Sequence, residues 1–220
     1  MAIIKNIFWD VDGVLADLNH AYYTFLTQHP KYANQYKDLK FDELDKVLPV
    51  DPKYGALELK THPTQGEAMD YDFCHSDFFT KRLLYPGTIE ALNRFHELGY
   101  RQFTLSATFN VEAKKKLLNQ LLAPVASFLT IECVQHGQFM HDTAKEDSLK
   151  ACFEKYHLLA DETILVDDRI YNQYAAIHVG AHPVRYRSPF TTDLPPDLKW
   201  IPEVHNMQEL EELLTNGKIK

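Results

Sequence analysis

Only three cysteines occur in the 220 residues, Cys74, Cys133 and Cys152, an odd number spread far apart. That excludes a disulfide framework and points to a reducing compartment. Positive charge is also short: 23 Lys and Arg stand against 31 Asp and Glu, a formal net charge of −8. Such a balance does not suit a nucleic-acid polymer, which wants a basic surface. A small anionic ligand stays open, because a bound cation reverses the field locally. No apolar run is long enough for a membrane span, and Met1–Trp9 is too short for a signal h-region. The expectation is a cytoplasmic chain with neither membrane nor nucleic acid as partner. Internal repeats and low-complexity tracts are missing too. What remains, 45% hydrophobic and 25% charged residues, is ordinary for one globular domain or a domain plus an insert.

The most informative feature present lies near the N-terminus. Ile3, Ile4, Ile7, Phe8 and Trp9 lead into Asp10-Val11-Asp12-Gly13-Val14-Leu15. Strand side chains alternate faces, so Asp10 and Asp12 are expected on one side where a buried strand surfaces. Gly13 then breaks the strand. Two like charges this close resist joint ionisation. They occur together where a metal binds, where one stays protonated, or where the pair opens a solvated turn. A calcium loop counted from Asp10 fails, because Leu15 stands at position six where Gly is needed and Ala21 at position twelve where Glu is needed.

Periodicity orders the rest. A strand is expected over residues 3–9, then a helix with Leu18, Tyr22, Phe25 and Leu26 on one face. Residues 29–80 lose β alternation and carry Pro30, Pro49, Pro52 and Pro63, which reads as a mostly helical insert. Helices are expected around Ile89–Leu98 (closed by Gly99), residues 110–122, Leu149–Tyr156, Ala175–Val179 and Met207–Leu214. Strands are expected at Tyr100–Leu105, Phe128–Val134, Thr163–Val166 and Pro183–Tyr186. Lys114-Lys115-Lys116 reads as a solvated helix face. Strand and helix in alternation imply an α/β fold with a doubly wound parallel sheet, whose ligands bind beyond the carboxyl ends of the strands. Asp10, Ser106 and Asp168 are expected at three such ends.

An apolar strand followed by Asp10-x-Asp12-Gly13-Val14-Leu15 resembles the first motif of the haloacid dehalogenase superfamily, whose phosphatase branches carry both aspartates. The resemblance continues downstream, over about residues 3–15 and 86–214. Ser106, seven residues after the helix-closing Gly99, fits the second motif. Lys145, 23 residues before Asp168, fits the third. Thr143 to Glu146 also reads as a capping box, which puts Lys145 in a first helical turn. The helix dipole disfavours a cation there, so an anion is expected nearby. Asp167-Asp168 with Asn172, followed by Ala176 and Gly180, is similar to the fourth motif. Adjacent carboxylates after an apolar strand suit a hard cation with oxygen ligands. Alignment on the family pattern gives Asp168 the metal position, with the reverse assignment to Asp167 still open.

The resemblance implies a Rossmann-like core, residues 1–15 and 86–220, with a first-type helical cap over residues 16–85. It implies a phosphatase, a phosphoric monoester hydrolase acting on a small phosphorylated metabolite through an aspartyl-phosphate. Asp10 would be the nucleophile and Asp12 the general acid, its pKa raised by its neighbours. Ser106, the N–H of Ala107 and Lys145 would bind phosphate. Mg²⁺ would be held by Asp10, Asp12 and Asp168, with Asp167 and Asn172 as further ligand candidates. Tyr22, Tyr23, His62, His75, Phe78 and Phe79 are candidate cap contacts by composition. The opening Asp-Val-Asp-Gly-Val-Leu-Ala-Asp is also similar to deoxyribonucleotidases of this superfamily. Alternatives are a phosphomutase or dehalogenase on the same scaffold, or a non-catalytic module that binds phosphate or metal. The oligomeric state is left open.

Overall fold

The computed structural model describes residues 3–48, 50–51, 55–57, 66–108, 110–135 and 144–217. Among these residues there are eight strands: β1 Asn6–Trp9, β2 Val50–Asp51, β3 Ala56–Leu57, β4 Arg101–Thr108, β5 Leu129–Gln135, β6 Thr163–Asp167, β7 His182–Tyr186 and β8 Glu203–Val204. The α-helices are α1 Leu18–Gln28, α2 Ala33–Tyr36, α3 Gly66–Cys74, α4 Asp77–Thr80, α5 Thr88–Glu97, α6 Val111–Leu121, α7 Ala144–Tyr156, α8 Ile170–His178 and α9 Met207–Thr215.

Six strands form one sheet in the order β5-β4-β1-β6-β7-β8, and every pair is parallel. This is the doubly wound α/β sheet expected from the alternation. The central strand β1 is buried along its whole length, which is why Ile7, Phe8 and Trp9 are consecutive apolar residues; the polar Asn6 at its start is buried with them. Its side chains divide between two layers. Ile7 and Trp9 pack with Leu92 and Phe95 of α5, Leu118 of α6 and Leu210 of α9. Phe8 faces the other way, onto Phe103, Leu149 and Cys152. Burial of each such side chain contributes about 1.5–3 kcal/mol, so β1 is well anchored where its last residue hands over to Asp10.

Several boundaries differ from expectation. The first strand spans Asn6–Trp9, shorter than 3–9. β4 runs past Leu105 to Thr108, because β5 pairs with it as far as Thr108↔Gln135. Ser106 therefore sits within the strand, not just after it. The two-residue β8 and the antiparallel hairpin β2–β3 are too short to leave a periodic signature.

The segment between β1 and α5 builds its own apolar cluster from Tyr22, Phe25, Leu26, Leu44, Leu57, Phe73 and Phe79, among others. Its two connections to the sheet lie side by side: Ala16 bridges Leu84, Asp17 N donates to Leu83 O at 2.9 Å, and Tyr85 N donates to Leu15 O at 2.9 Å. Four further contacts seat it on the core. Gly55 O accepts from Arg185 Nη2 at 3.2 Å and from Thr192 N at 3.0 Å. Asn19 Nδ2 donates to Pro189 O at 2.9 Å, and Phe41 packs edge-on against Phe190. No helix among the described residues is long and apolar enough to cross a membrane.

Candidate active site

Parallel strands end at the same rim, and each following helix starts there. Helical side chains lean back toward their own N-terminus, so first-turn residues of α6 and α7 reach over the strand ends. Asp10 follows β1 and keeps its pairing with β6 through Asp10 N to Val166 O at 2.9 Å. Asp167 closes β6 and Asp168 follows it. Oxygens of Asp10, Asp167 and Asp168 lie within 4.8 Å of one another, and all three residues are buried. Residues more than 150 positions apart thus converge at one point.

Lys145, the second residue of α7, is also buried. Its Nζ donates to Asp10 Oδ1 at 2.9 Å and to Asp167 Oδ2. Burial opposes its charge, but Asp10 and Asp167 outweigh burial and hold the ammonium protonated well above the usual lysine range. The anion expected beside this first-turn lysine is therefore the aspartate pair. Thr143, its expected N-cap, and His62 lie outside the described residues.

The neighbours Asp167 and Asp168 have different surroundings. Asp167 is saturated: Oδ1 accepts from Arg169 N and Asn172 Nδ2, both at 2.9 Å, and Oδ2 accepts from Asn172 Nδ2 at 2.9 Å and from Lys145. Asp168 Oδ1 is buried with no hydrogen-bond partner, and Oδ2 has Ser188 Oγ at 3.5 Å. The turn after β1 presses on this carboxylate. Gly13 has φ +85°, and a Cβ there would collide with Asp168 Oδ2. Only glycine combines that backbone with such an approach. Asn172 turns its amide nitrogen to Asp167 and leaves Oδ1 buried without a partner.

Burial raises the carboxyl of Asp10 to about 6; Lys145 opposes this, while Asp167 and Asp12 add to it. Burial and the charges of Asp167 and Asp10 raise Asp168 well above its ordinary value. Three carboxylates face Lys145, which pairs with Asp10 and Asp167, and the charge of Arg169, which acts on Asp168; negative charge is in excess, an imbalance that a divalent cation would correct. The donor set is all oxygen, one donor is unpaired, and the group fits a hard dication.

Asp12 departs from expectation. It was expected to have a raised pKa; instead its carboxyl is lowered to about 2. Burial pushes it up, but Arg82 and Lys114 outweigh burial. Arg82 Nη1 binds Oδ1, and Lys114 Nζ donates to Oδ2 at 2.5 Å. Both cationic side chains have 0% exposure. Lys114 also overturns the expectation of a solvated charge run: only Lys115 and Lys116 are exposed. Asn110 caps α6 by accepting from Ala113 N at 3.0 Å, which puts Lys114 in the first turn, aimed at the strand rim. Its stripe was readable, since Lys114 shares a face with Leu117 and Leu118. Arg82 had no sequence signal.

Ser106 is buried on β4, two residues beyond Thr104, the partner of Trp9; Ala107 follows, half-buried. Both flank the end of β1 on the adjacent strand. Of the aromatic candidates, Tyr22 and Phe79 are core of the inserted segment, while Tyr23 and Phe78 pack at its margin. His75 stacks on Tyr71, and both are exposed.

The Asp10 shift predicts a pH dependence. In the unfolded chain Asp10 releases its proton near the ordinary aspartate value of 3.8, and in the folded chain near 6. The folded state holds more protons between these values, so stability falls as pH rises from about 4 to about 6, by on the order of 2–3 kcal/mol without divalent cation. Asp12 acts oppositely at lower pH, its contribution vanishing from about 4 to about 2. Urea midpoints in EDTA measure the first effect. A midpoint that rises from pH 4 to 6, and is unaltered by Asp10→Asn, would count against it.

A parallel α/β sheet with buried carboxylates and a lysine at its carboxyl rim defines the class of enzyme in which ligands bind beyond strand ends. The sequence pattern of the haloacid dehalogenase-like hydrolases matches residues 4–180, and the chain belongs to that family. No curated protein matches it in sequence. Among solved structures it is similar to a protein described as a predicted phosphatase from Clostridium acetobutylicum, with 16% identity, a TM-score of 0.66, and coverage of 98% of this chain and 100% of that one. A HAD-superfamily hydrolase from Ehrlichia chaffeensis has 14% identity and a TM-score of 0.61, covering 98% of each chain. A HAD hydrolase from Bacillus subtilis described as bound to magnesium has 16% identity and a TM-score of 0.61, with coverage of 96% of this chain and 98% of that one. At these identities the likeness is one of fold.

Proposed function

We propose that this hydrolase is a Mg²⁺-dependent phosphatase that cleaves a small phosphomonoester through an aspartyl-phosphate on Asp10. The observation that carries the reading is the excess negative charge of Asp10, Asp167 and Asp168 around the Lys145 ammonium, with Asp168 Oδ1 buried and unpartnered. Asp10, Asp168 and the backbone carbonyl of Asp12 would hold Mg²⁺, which supplies positive charge against the oxygens of the transferring group. Asp168 suits ligation better than Asp167, because its Oδ1 has no hydrogen-bond partner and its Oδ2 has a 3.5 Å contact with Ser188 Oγ, whereas both Asp167 oxygens are engaged at short range.

Asp10 attacks phosphorus as the bond to the ester oxygen breaks. Lys145 orients the Asp10 carboxylate, and Asp167 with Asn172 fixes Lys145 in turn. Ser106 and the N–H of Ala107 receive phosphoryl oxygens on the β4 side. Asp12 hands a proton to the departing oxygen, and then takes one from the water that splits the aspartyl-phosphate. Its ionised state in this structure is the form needed for the second step. The first step requires Asp12 to carry a proton while Arg82 and Lys114 still hold it in place, and the negative charge of an incoming phosphate dianion favours that proton.

The core over residues 1–15 and 86–220 would carry the chemistry, and the inserted segment 16–85 would act as a helical cap that limits the substrate to a small phosphorylated metabolite. Nucleotide-like esters belong in the first panel, given the similarity of the opening motif to deoxyribonucleotidases. The test is phosphate release by purified protein from para-nitrophenyl phosphate and a panel of phosphomonoesters, with Mg²⁺ and with EDTA. Mg²⁺-dependent release from at least one ester is expected. Absence of release from every ester with Mg²⁺ would end the phosphatase reading.

A further inference from the structure

Asp12 is gripped from two separate parts of the fold. Lys114 approaches from α6, which belongs to the sheet's own helical layer. Arg82 approaches from the residue run just after α4, on the inserted segment. The Arg82 side chain is tied to that segment rather than to the sheet. Its Nε donates to Phe79 O at 3.0 Å, and its guanidinium lies 4.3 Å over the Phe79 ring. Phe79 in turn packs edge-on against Phe73 in the segment's apolar cluster. Lys114 Nζ stands 5.9 Å from the same ring. The two cations and Asp12 thus form one junction, with half of it carried by each part.

We propose that Arg82 is a positioning residue for Asp12, so that the Asp12 carboxylate is held in its working orientation only while the inserted segment is seated on the core. The inference rests on the phosphatase reading, with Asp12 as the proton donor and acceptor. Arg82 acts through Asp12 and not on the substrate directly. Its side chain is wholly buried, and its stacking and Nε hydrogen bond fix the guanidinium plane. When the segment lifts, Arg82 leaves with Phe79, and Asp12 keeps Lys114 alone. Proton transfer is then confined to the closed enzyme, where water is excluded.

Two esters with the same ring separate this role from others. Para-nitrophenolate departs without a proton, whereas phenolate needs one more. Values of kcat/KM for para-nitrophenyl phosphate and phenyl phosphate report the first chemical step for wild type, Arg82→Ala, Arg82→Lys and Lys114→Met, all with Mg²⁺. The expected result is a loss in Arg82→Ala that is at least about tenfold greater for phenyl phosphate, within the roughly 10²–10⁴-fold range of general acid catalysis. Arg82→Lys should recover part of that selective loss, and Lys114→Met should reproduce it. The ratio between esters does not depend on the fraction of folded enzyme, so a variant that is merely less stable leaves it unchanged. An equal loss on both esters in Arg82→Ala would overturn the proposal while leaving the phosphatase reading intact. A wild type inactive on both esters and on the wider panel would overturn that reading and the proposal with it.

Discussion

Asp10→Asn is expected to reduce turnover by roughly 10⁴-fold or more, the scale seen when a covalent nucleophile is removed. An amide oxygen is a poor nucleophile and carries no charge to help hold a cation. The fold should survive, because β1 is anchored by Ile7, Phe8 and Trp9 on both faces of the sheet. Lys145 keeps Asp167 as a partner, so no buried ammonium is stranded. One of three crowded carboxylates disappears, and metal-free protein should unfold at a higher urea concentration at pH 7 than wild type. Steady-state phosphate release and urea melts check the two halves independently. Residual turnover near the wild-type rate would show that Asp10 is not the attacking group.

Asp12→Asn should behave differently in stability even where it matches in activity. Here the lost charge is the carboxylate that pairs with two fully buried cations, Arg82 and Lys114. Removing one partner of a buried ion pair typically costs about 3–5 kcal/mol, since the remaining charge stays desolvated and unpaired. The Asp12 side chain is 20% exposed, so the lower end of that range applies. Against a typical domain stability of about 5–15 kcal/mol, that is a large fraction. The urea midpoint should fall clearly, in contrast with Asp10→Asn. A midpoint unchanged within error would mean that the junction is solvated and does not bind the inserted segment to the core.

The opposite signs follow from local charge counts. Around Asp10 the carboxylates outnumber the ammonium, and a divalent cation bound there should add stability in proportion to its concentration over its dissociation constant. Around Asp12 the cations outnumber the carboxylate. A phosphate dianion placed between the two groups would be drawn by the second and repelled by the first unless a dication stands there. On the proposed phosphatase reading, metal and substrate anion together would balance the charges of the site.

Much of this arrangement was readable along the chain. The apolar run before Asp10, the Gly99-to-Ser106 interval, Lys145 and the Asp167-Asp168 pair each sit at the edge of an element that hydrophobic periodicity locates, and parallel crossovers bring such edges to one rim. Lys114 was readable in principle, since it occupies the stripe of Leu117 and Leu118, yet three successive lysines look solvated until the helix is oriented. Arg82 was not readable. It follows a four-residue helix without periodicity, and only tertiary folding brings it to a carboxylate seventy positions away.

By itself, then, the amino-acid order determined the α/β architecture, the family resemblance and the set of strand-end carboxylates, because these depend on local periodicity and on a topology with few alternatives. Tertiary structure alone decided the charge states and the partners: Asp12 ionised where a raised pKa was expected, Asp168 with one unpartnered oxygen where Asp167 is saturated, Lys114 buried. Those outcomes depend on desolvation and on the few ångströms between groups far apart in the chain, and no spacing along the sequence encodes either.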